Sequence, residues 1–287
     1  MILDFNARVE KLLTDTFSED LDTAGDITTK TIFTKNTPAK AIIKSKENGI
    51  LSGAKLITPA FHYLDKNCKI SILKSDGDVL ENGTIIAEIE GDIHTILAGE
   101  RTILNLLQHL SGIATATQNL AKKIAHTKAK IIDTRKTTPM LRFLEKEAVV
   151  HGGGSNHRFG LYDMILIKDT HVAAAGGQPD KAVILSRENS KKLGISAKIE
   201  VEVQNLKEFN DALTAAPDRI MLDNMSVSDM KIAVEKRNEK KTQIELEASG
   251  GITKETIVKI AETGVDFISV GALTHSVKSL DIHLKIY

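Results

Sequence analysis

The 287-residue chain is long enough for one large domain or two moderate ones, each with a real core. Lys+Arg and Asp+Glu balance at 38 each, so no overall basic field recruits nucleic acid, and any anion site must be assembled locally from clustered cations. The 41% hydrophobic and 26% charged composition is that of an ordinary globular protein, and 4% aromatic residues without Trp counts against stacking platforms for single strands.

No run approaches the ~20 apolar residues of a membrane span. The N-terminal MILDFNARVEKLL carries Asp4 and Glu10 and lacks the apolar core of a signal peptide. A lone Cys68 cannot form an internal disulfide, and in CKISIL it reads as a packed strand position. Together these point to a cytoplasmic protein.

In chain order, residues 2–13 set Ile2, Phe5, Val9, Leu12 and Leu13 near one helical face. Short strand-like runs follow: AKAIIKSK, KISILKS, and TIIAEIE after the turn ENG. GDVLENGTIIAEIEG has the look of a swinging-arm carrier hairpin, but its tip is Glu81-Asn82-Gly83 with no lysine for a cofactor. It therefore reads as a plain β-hairpin. Residues 1–110 form a mixed α/β domain in this reading.

From Gly99 the pattern changes. A long helix carries the stripe Ile103, Leu106, Leu107, Leu110 and Ile113. Six apolar runs then alternate with amphipathic helices: IIDTR, MILIK, KIEVEV, RIMLD, IELEA and DFISVG. They recur every ~20–35 residues, the βα rhythm of a parallel sheet or barrel. Residues 111–275 are read as that domain, and the alternating tail SLDIHLKIY, within 276–287, as a strand returning to the N-terminal sheet.

The ends of these runs carry the chemistry. IIDTR leads into Arg135-Lys136, MILIK ends in Lys168, KIEVEV carries Glu202, and RIMLD ends in Asp223. IELEA opens onto Ser249-Gly250-Gly251, and DFISVG carries Ser269-Val270-Gly271. In a β/α barrel the carboxyl ends of the strands share one face, where the site is built. Single polar strand ends are usually structural; six in succession are harder to dismiss.

Glycine turns after the last two strands suit a monophosphate bound by backbone N–H groups. Glu202 and Asp223 suit Mg²⁺ held together with substrate phosphates, although alternation leaves Glu200 equally eligible. No HExxH pattern or cysteine cluster supports zinc. The remaining cations, Arg101, Arg135, Lys136, His157, Arg158 and Lys168, exceed what one phosphate needs and suggest a carboxylate on a second substrate. HGGG invites comparison with an esterase oxyanion hole, but GGSNH, SGIAT and GISAK all fail the GxSxG elbow.

The motifs DTRKTTPMLR, HGGGSNHRFGLYDMILIKDTH, KIEVEV, LDNM, EASGGI and SVGALTHS closely resemble the quinolinate phosphoribosyltransferase family, type II phosphoribosyltransferases of NAD biosynthesis. The likeness is strongest from GERTILNLLQHLSGIAT onward and weaker at DITT and NGILSG. It implies a mixed α/β N-terminal domain, a seven-stranded α/β barrel and a homodimer in which Arg101 enters the partner's site.

The resemblance further places Thr134, Arg135, Lys136, His157, Arg158 and Lys168 around quinolinate. It places Lys136, Lys168, Glu202, Asp223, the two glycine turns and His275 around phosphoribosyl pyrophosphate, with Mg²⁺ near the two acids. The implied reaction is phosphoribosyl transfer with loss of CO₂, in which Lys136 or Lys168 assists decarboxylation. The glycines of HGGGSNHRFG then read as flexibility for a loop that brings His157 and Arg158 onto the carboxylates. The nearest alternatives are a homologue with another acceptor, such as nicotinate, and a non-catalytic phosphate-binding module.

Overall fold

A computed structural model describes residues 4–287. Helix α1 (Phe5–Leu21) starts where the Asp4 side chain accepts the Ala7 N–H, and it buries Val9, Leu13 and Phe17. Ile2 lies outside the described residues. There follow α2 (Ile27–Ile32), β1 (Pro38–Ser45), β2 (Gly49–Ile50), α3 (Ile57–Leu64), β3 (Lys69–Ile72), β4 (Val79–Leu80) and β5 (Ile85–Asp92). Helix α4 (Ile93–Ile124) buries all five residues of the expected stripe.

Next come β6 (Lys130–Ile132), α5 (Arg142–His151), β7 (Ile165–Ile167), α6 (Asp169–Ala174), α7 (Pro179–Leu193), β8 (Ile199–Val203) and α8 (Leu206–Ala215). The chain ends through β9 (Arg219–Asp223), α9 (Val227–Glu239), β10 (Glu245–Ser249), α10 (Ile257–Ala261), β11 (Phe267–Ser269), α11 (Ala272–His275) and β12 (Ile282–Ile286).

Two compact units divide the chain. The first takes the residues up to Ala116 together with 138–153 and 276–287; the second takes 117–137 and 154–275. The boundary expected at 110/111 moves to 116/117, and α5, expected within the barrel domain, groups with the first unit. The first unit's main sheet runs β12-β1-β5-β3, all antiparallel, with the C-terminal strand on β1.

The expected hairpin does not close. The turn at Glu81 exists, but β4 pairs with β2, while β1 takes one edge of β5 and β3 the other. A long partner distant in sequence offers β5 more ladder than the two-residue β4. Cys68 is buried one residue before β3, and burial pushes its thiol pKa up.

The second unit is a parallel sheet ordered β6-β11-β10-β9-β8-β7, whose strands are the six runs read from the sequence. Where the resemblance implied a seventh strand, one parallel bridge joins Ile132 to Ser155, with the Ser155 N–H donating to Ile131 O at 2.8 Å. Val201, Val203, Ile220, Leu222, Leu246 and Ile268 face away from the barrel axis and are buried, as are Phe209, Leu213 and Met230 of α8 and α9. Each such side chain contributes about 2 kcal/mol relative to exposure.

The inward face is unusual. Most barrel interiors hold branched aliphatic layers, but here Arg219 spans Glu245 and Glu247, with N–O distances of 3.0 Å to each, over the Phe267 ring.

Candidate active site

A cavity of about 600 Å³ opens at the carboxyl ends of the parallel strands. Every site residue named from the sequence lines it except Arg101, which is exposed on α4 in the first unit, and Glu200, the alternative acid, which is fully buried. The spacing of the β/α units explains the convergence: parallel strands in register deliver each run's last residues to one end.

The cationic side is built on β6, β7 and the 154–164 loop. After β6 the Lys136 N–H donates to Thr134 Oγ1 at 3.0 Å, and the Lys136 carbonyl accepts the Thr274 hydroxyl at 2.7 Å. Arg135 and Lys136 are thereby pinned beside the loop after β11. The buried Asp133 accepts the His157 N–H at 2.9 Å, tying the 154–164 loop to β6. In that loop Asp163 accepts the Phe159 and Gly160 N–H groups, and the Arg158 guanidinium donates to Met164 O at 3.1 Å. Partial burial, then repulsion from Arg135, depresses the Arg158 pKa. Two guanidiniums pressed together while losing water are set for an anion between them. Lys168 follows β7 directly and caps α6.

The opposite side holds the two glycine turns. Gly250 has φ +85°, and a Cβ there would overlap the Asn224 side-chain amide, so the residue must be glycine. Asn224, which the sequence places at the strand end without assigning it a role, sits at φ +53°, donates its side-chain N–H to Asp223 and its backbone N–H to Ser249 O, and so ties the β9 loop to the end of β10. At Gly271 the Lys136 stem and the His275 ring lie 3.2 and 3.3 Å from where a Cβ would stand, so its absence lets both side chains cross the turn. Between the two sides, burial and then the neighbouring Asp223 raise the Glu202 pKa, against the pull of Lys168.

At the floor of the cavity lies a cluster of which the sequence marked His157 and Glu200 but not Glu247 or Arg219. The His157 ring Nε2 is 3.1 Å from Glu200 Oε2 and 3.5 Å from Glu247 Oε2, and all three side chains are buried. His157 Nδ1 accepts the Arg158 backbone N–H at 2.6 Å. Burial, partly offset by Arg219, lifts Glu200 to about 7; burial and Glu200 lift Glu247 to about 8. In return the two carboxylates hold Arg219 above its ordinary value despite burial. These three ligand-type atoms lie within 4.8 Å of one another. They are unsuited to a metal: a ring whose Nδ1 accepts an N–H carries its proton on Nε2, and Arg219 already supplies the positive charge. Period-two alternation from Ser249 back to Glu247, and from Asp223 back to Arg219, would have marked both as inward-facing.

The glycines of HGGGSNHRFG have a specific local use. Gly152 caps α5, and Gly153 takes φ +85° with open space around its α-carbon. That left-handed position ends the helix and turns the chain toward Ser155, the turn-forming use that the sequence also allows for Gly152 and Gly153.

The C-terminal domain model of the quinolinate phosphoribosyl transferases matches residues 113–285, and the N-terminal domain model matches 26–111. A probable nicotinate-nucleotide pyrophosphorylase [carboxylating] of Bacillus subtilis is 43% identical over 97% of this chain and 93% of its own length. The chloroplastic nicotinate-nucleotide pyrophosphorylase [carboxylating] of Arabidopsis thaliana is 42% identical over 94% of this chain and 80% of its own. Among solved structures, the nicotinate-nucleotide pyrophosphorylase of Francisella tularensis superposes with a TM-score of 0.91 at 42% identity, covering 99% of this chain and 98% of that one. Human nicotinic acid phosphoribosyltransferase, at 11% identity and a TM-score of 0.58, shares the fold alone. Two adjoining domain models and relatives above 40% identity over nearly the whole length place the chain in the quinolinate phosphoribosyltransferase family.

Proposed function

We infer that this protein transfers the phosphoribosyl group of phosphoribosyl pyrophosphate to quinolinate, releasing pyrophosphate and CO₂ and forming nicotinate mononucleotide in NAD biosynthesis. The observation that carries this reading is the polarity of one cavity, with crowded guanidiniums on one side, backbone-lined glycine turns on the other and an acid pair between them.

The chemistry follows from that layout. Arg135 and Arg158, with Lys136 and Lys168, clamp the two carboxylates and aim the ring nitrogen at the anomeric carbon. The turns at Ser249–Gly251 and Ser269–Gly271 hold the 5-phosphate through backbone N–H groups, with His275 beside them. As the nitrogen attacks, the C–O bond to pyrophosphate breaks and positive charge grows on the ribose, facing Glu202 and Asp223. The positive charge on the product pyridinium nitrogen then stabilises the electron pair left on the adjacent ring carbon when its C–CO₂⁻ bond breaks and CO₂ departs. The resulting carbanion takes a proton on the side where Lys136 and Lys168 stand.

Glu202 and Asp223 also fit a divalent cation: two neighbouring oxygen donors, one of them driven toward protonation by burial and then by the other, are relieved by positive charge. They would hold Mg²⁺ directly or through its water shell, and bound Mg²⁺ neutralises the pyrophosphate leaving group. An exposed Arg101 on α4 supports a homodimer that exchanges this arginine between sites. No helix among the described residues is long and apolar enough to cross a membrane, in keeping with work in the cytoplasm on small soluble substrates.

Incubation with quinolinate, phosphoribosyl pyrophosphate and Mg²⁺ should give nicotinate mononucleotide and CO₂ in equal amounts. Binding of the sugar phosphate without turnover, or turnover with nicotinate alone, would overturn the reading. Arg135→Ala should raise KM for quinolinate at least tenfold, about 1.4 kcal/mol, with KM for phosphoribosyl pyrophosphate nearly unchanged. Equal losses for both substrates would count against the clamp.

A further inference from the structure

Lys168 is the whole connection between β7 and α6: the strand ends at Ile167 and the helix begins at Asp169. Its backbone is extended, at φ −87° and ψ 166°, and its carbonyl accepts the Val172 N–H at 2.9 Å, the first bond of the helix. Lys168 is therefore the N-cap of α6. That place normally goes to Ser, Thr, Asp or Asn, whose side-chain oxygens accept N–H groups of the first turn. An ammonium has no lone pair and cannot do this. The cap position instead holds a residue that lines the cavity and whose charge acts on Glu202, at the expense of the helix start.

The missing tie comes from the other direction. His171, the third residue of α6, turns its ring back so that Nδ1 accepts the Lys168 backbone N–H at 3.0 Å. This is the reciprocal half of a capping box, with imidazole where Glu or Gln is usual, and it puts the ring proton on Nε2. His171 is exposed and lies outside the cavity lining. Val172 is the one buried residue of α6, so little packing fixes the helix against the strand.

We propose that His171 is a positioning residue for Lys168: by holding the Lys168 N–H it fixes the one-residue turn from β7, and with it the direction in which the ammonium enters the cavity. This rests on the acid-clamp reading above, in which Lys168 meets a quinolinate carboxylate. With a four-carbon stem beyond it, a small rotation at the α-carbon carries the charge out of reach of a bound carboxylate.

Amide hydrogen exchange on protein carrying nitrogen-labelled lysine, with the Lys168 signal identified by its loss in Lys168→Met, reads this tie without substrate. Exchange at that amide should quicken on the order of tenfold in His171→Leu and return toward the wild-type rate in His171→Gln. Leucine is a better helix former than histidine, so a loss in that variant does not come from helix propensity. Unchanged exchange in His171→Leu would overturn the proposal even if the wild type turns over normally. A wild type without turnover would instead sink the functional reading and leave the exchange result standing.

Substrate measurements supply the second arm. His171→Leu should raise KM for quinolinate about tenfold, with KM for phosphoribosyl pyrophosphate nearly unchanged, and His171→Gln should recover most of that loss. Read as quinolinate affinity, the same change made in Lys168→Met should cost almost nothing more, because the histidine acts through that ammonium. A loss that multiplies onto that of Lys168→Met, equal effects on both substrates, or no rescue by Gln would each overturn the assignment.

Discussion

Glu202→Gln combined with Asp223→Asn is expected to lower kcat by about 10²–10³, while KM for quinolinate stays within a few-fold of wild type. The acids lie between the cation clamp and the phosphate turns, where the anomeric carbon must sit if both substrates occupy their sites. Their charges are already in opposition: burial and Asp223 both raise Glu202 in the resting cavity. Positive charge that relieves this opposition is favoured, and the ribose acquires it only as the bond to pyrophosphate breaks. The pair therefore stabilises the transition state more than the bound substrates, which places the loss in kcat. Isosteric amides keep the shape and the Asn224 contact to residue 223, so folding is not at issue. Steady-state rates with both substrates saturating test this, and a kcat within threefold of wild type would remove the acids from the chemistry. A higher Mg²⁺ requirement in the double variant is the companion expectation.

Much of this site was legible because parallel β/α units are repetitive. Each apolar run is a strand, each run's end lies at the same end of the sheet, and the glycines at 250 and 271 sit where neighbouring side chains crowd the place of a Cβ, Gly250 with a positive φ as well. What escaped the sequence reading was whatever depends on partners distant in the chain. The β4–β5 hairpin looked complete locally, yet β5 is claimed by β1 from some fifty residues upstream. His157 stands next to Arg158, and adjacency in a loop says nothing about which side chain turns outward. Its backbone is held by Asp133 and its ring lies against Glu200 and Glu247, on three different strands or strand ends. Attention to strand ends also passed over Glu247 and Arg219, which lie deeper along the same inward-facing rows. The barrel's interior charge follows from sequence only once the inward face is known.

That buried charge makes the stability of the second unit depend on pH in a defined direction. Glu247 keeps its proton in the folded protein up to about 8, through burial first and then the facing Glu200, whereas the unfolded chain releases it near 4.5. Between those values the native state binds more protons than the unfolded one, so stability falls as pH rises. The contribution is fully present below 4.5 and is lost as pH climbs through 8. The slope from this one group reaches at most about 1.4 kcal/mol per pH unit. Glu247→Gln imitates the protonated acid at every pH and keeps an oxygen toward Arg219. Urea unfolding at pH 5.5 and 7.5 should show wild type losing on the order of 2 kcal/mol more than the variant across that interval. The variant should then be the more stable protein at the higher pH. Removing one member of a buried ion network usually destabilises, because it strands the other charge; here Arg219 retains Glu245 at 3.0 Å, so the guanidinium is not left alone. Parallel pH slopes for the two proteins would mean that Glu247 is already ionised in the fold, with its charge matched by Arg219 rather than by a proton.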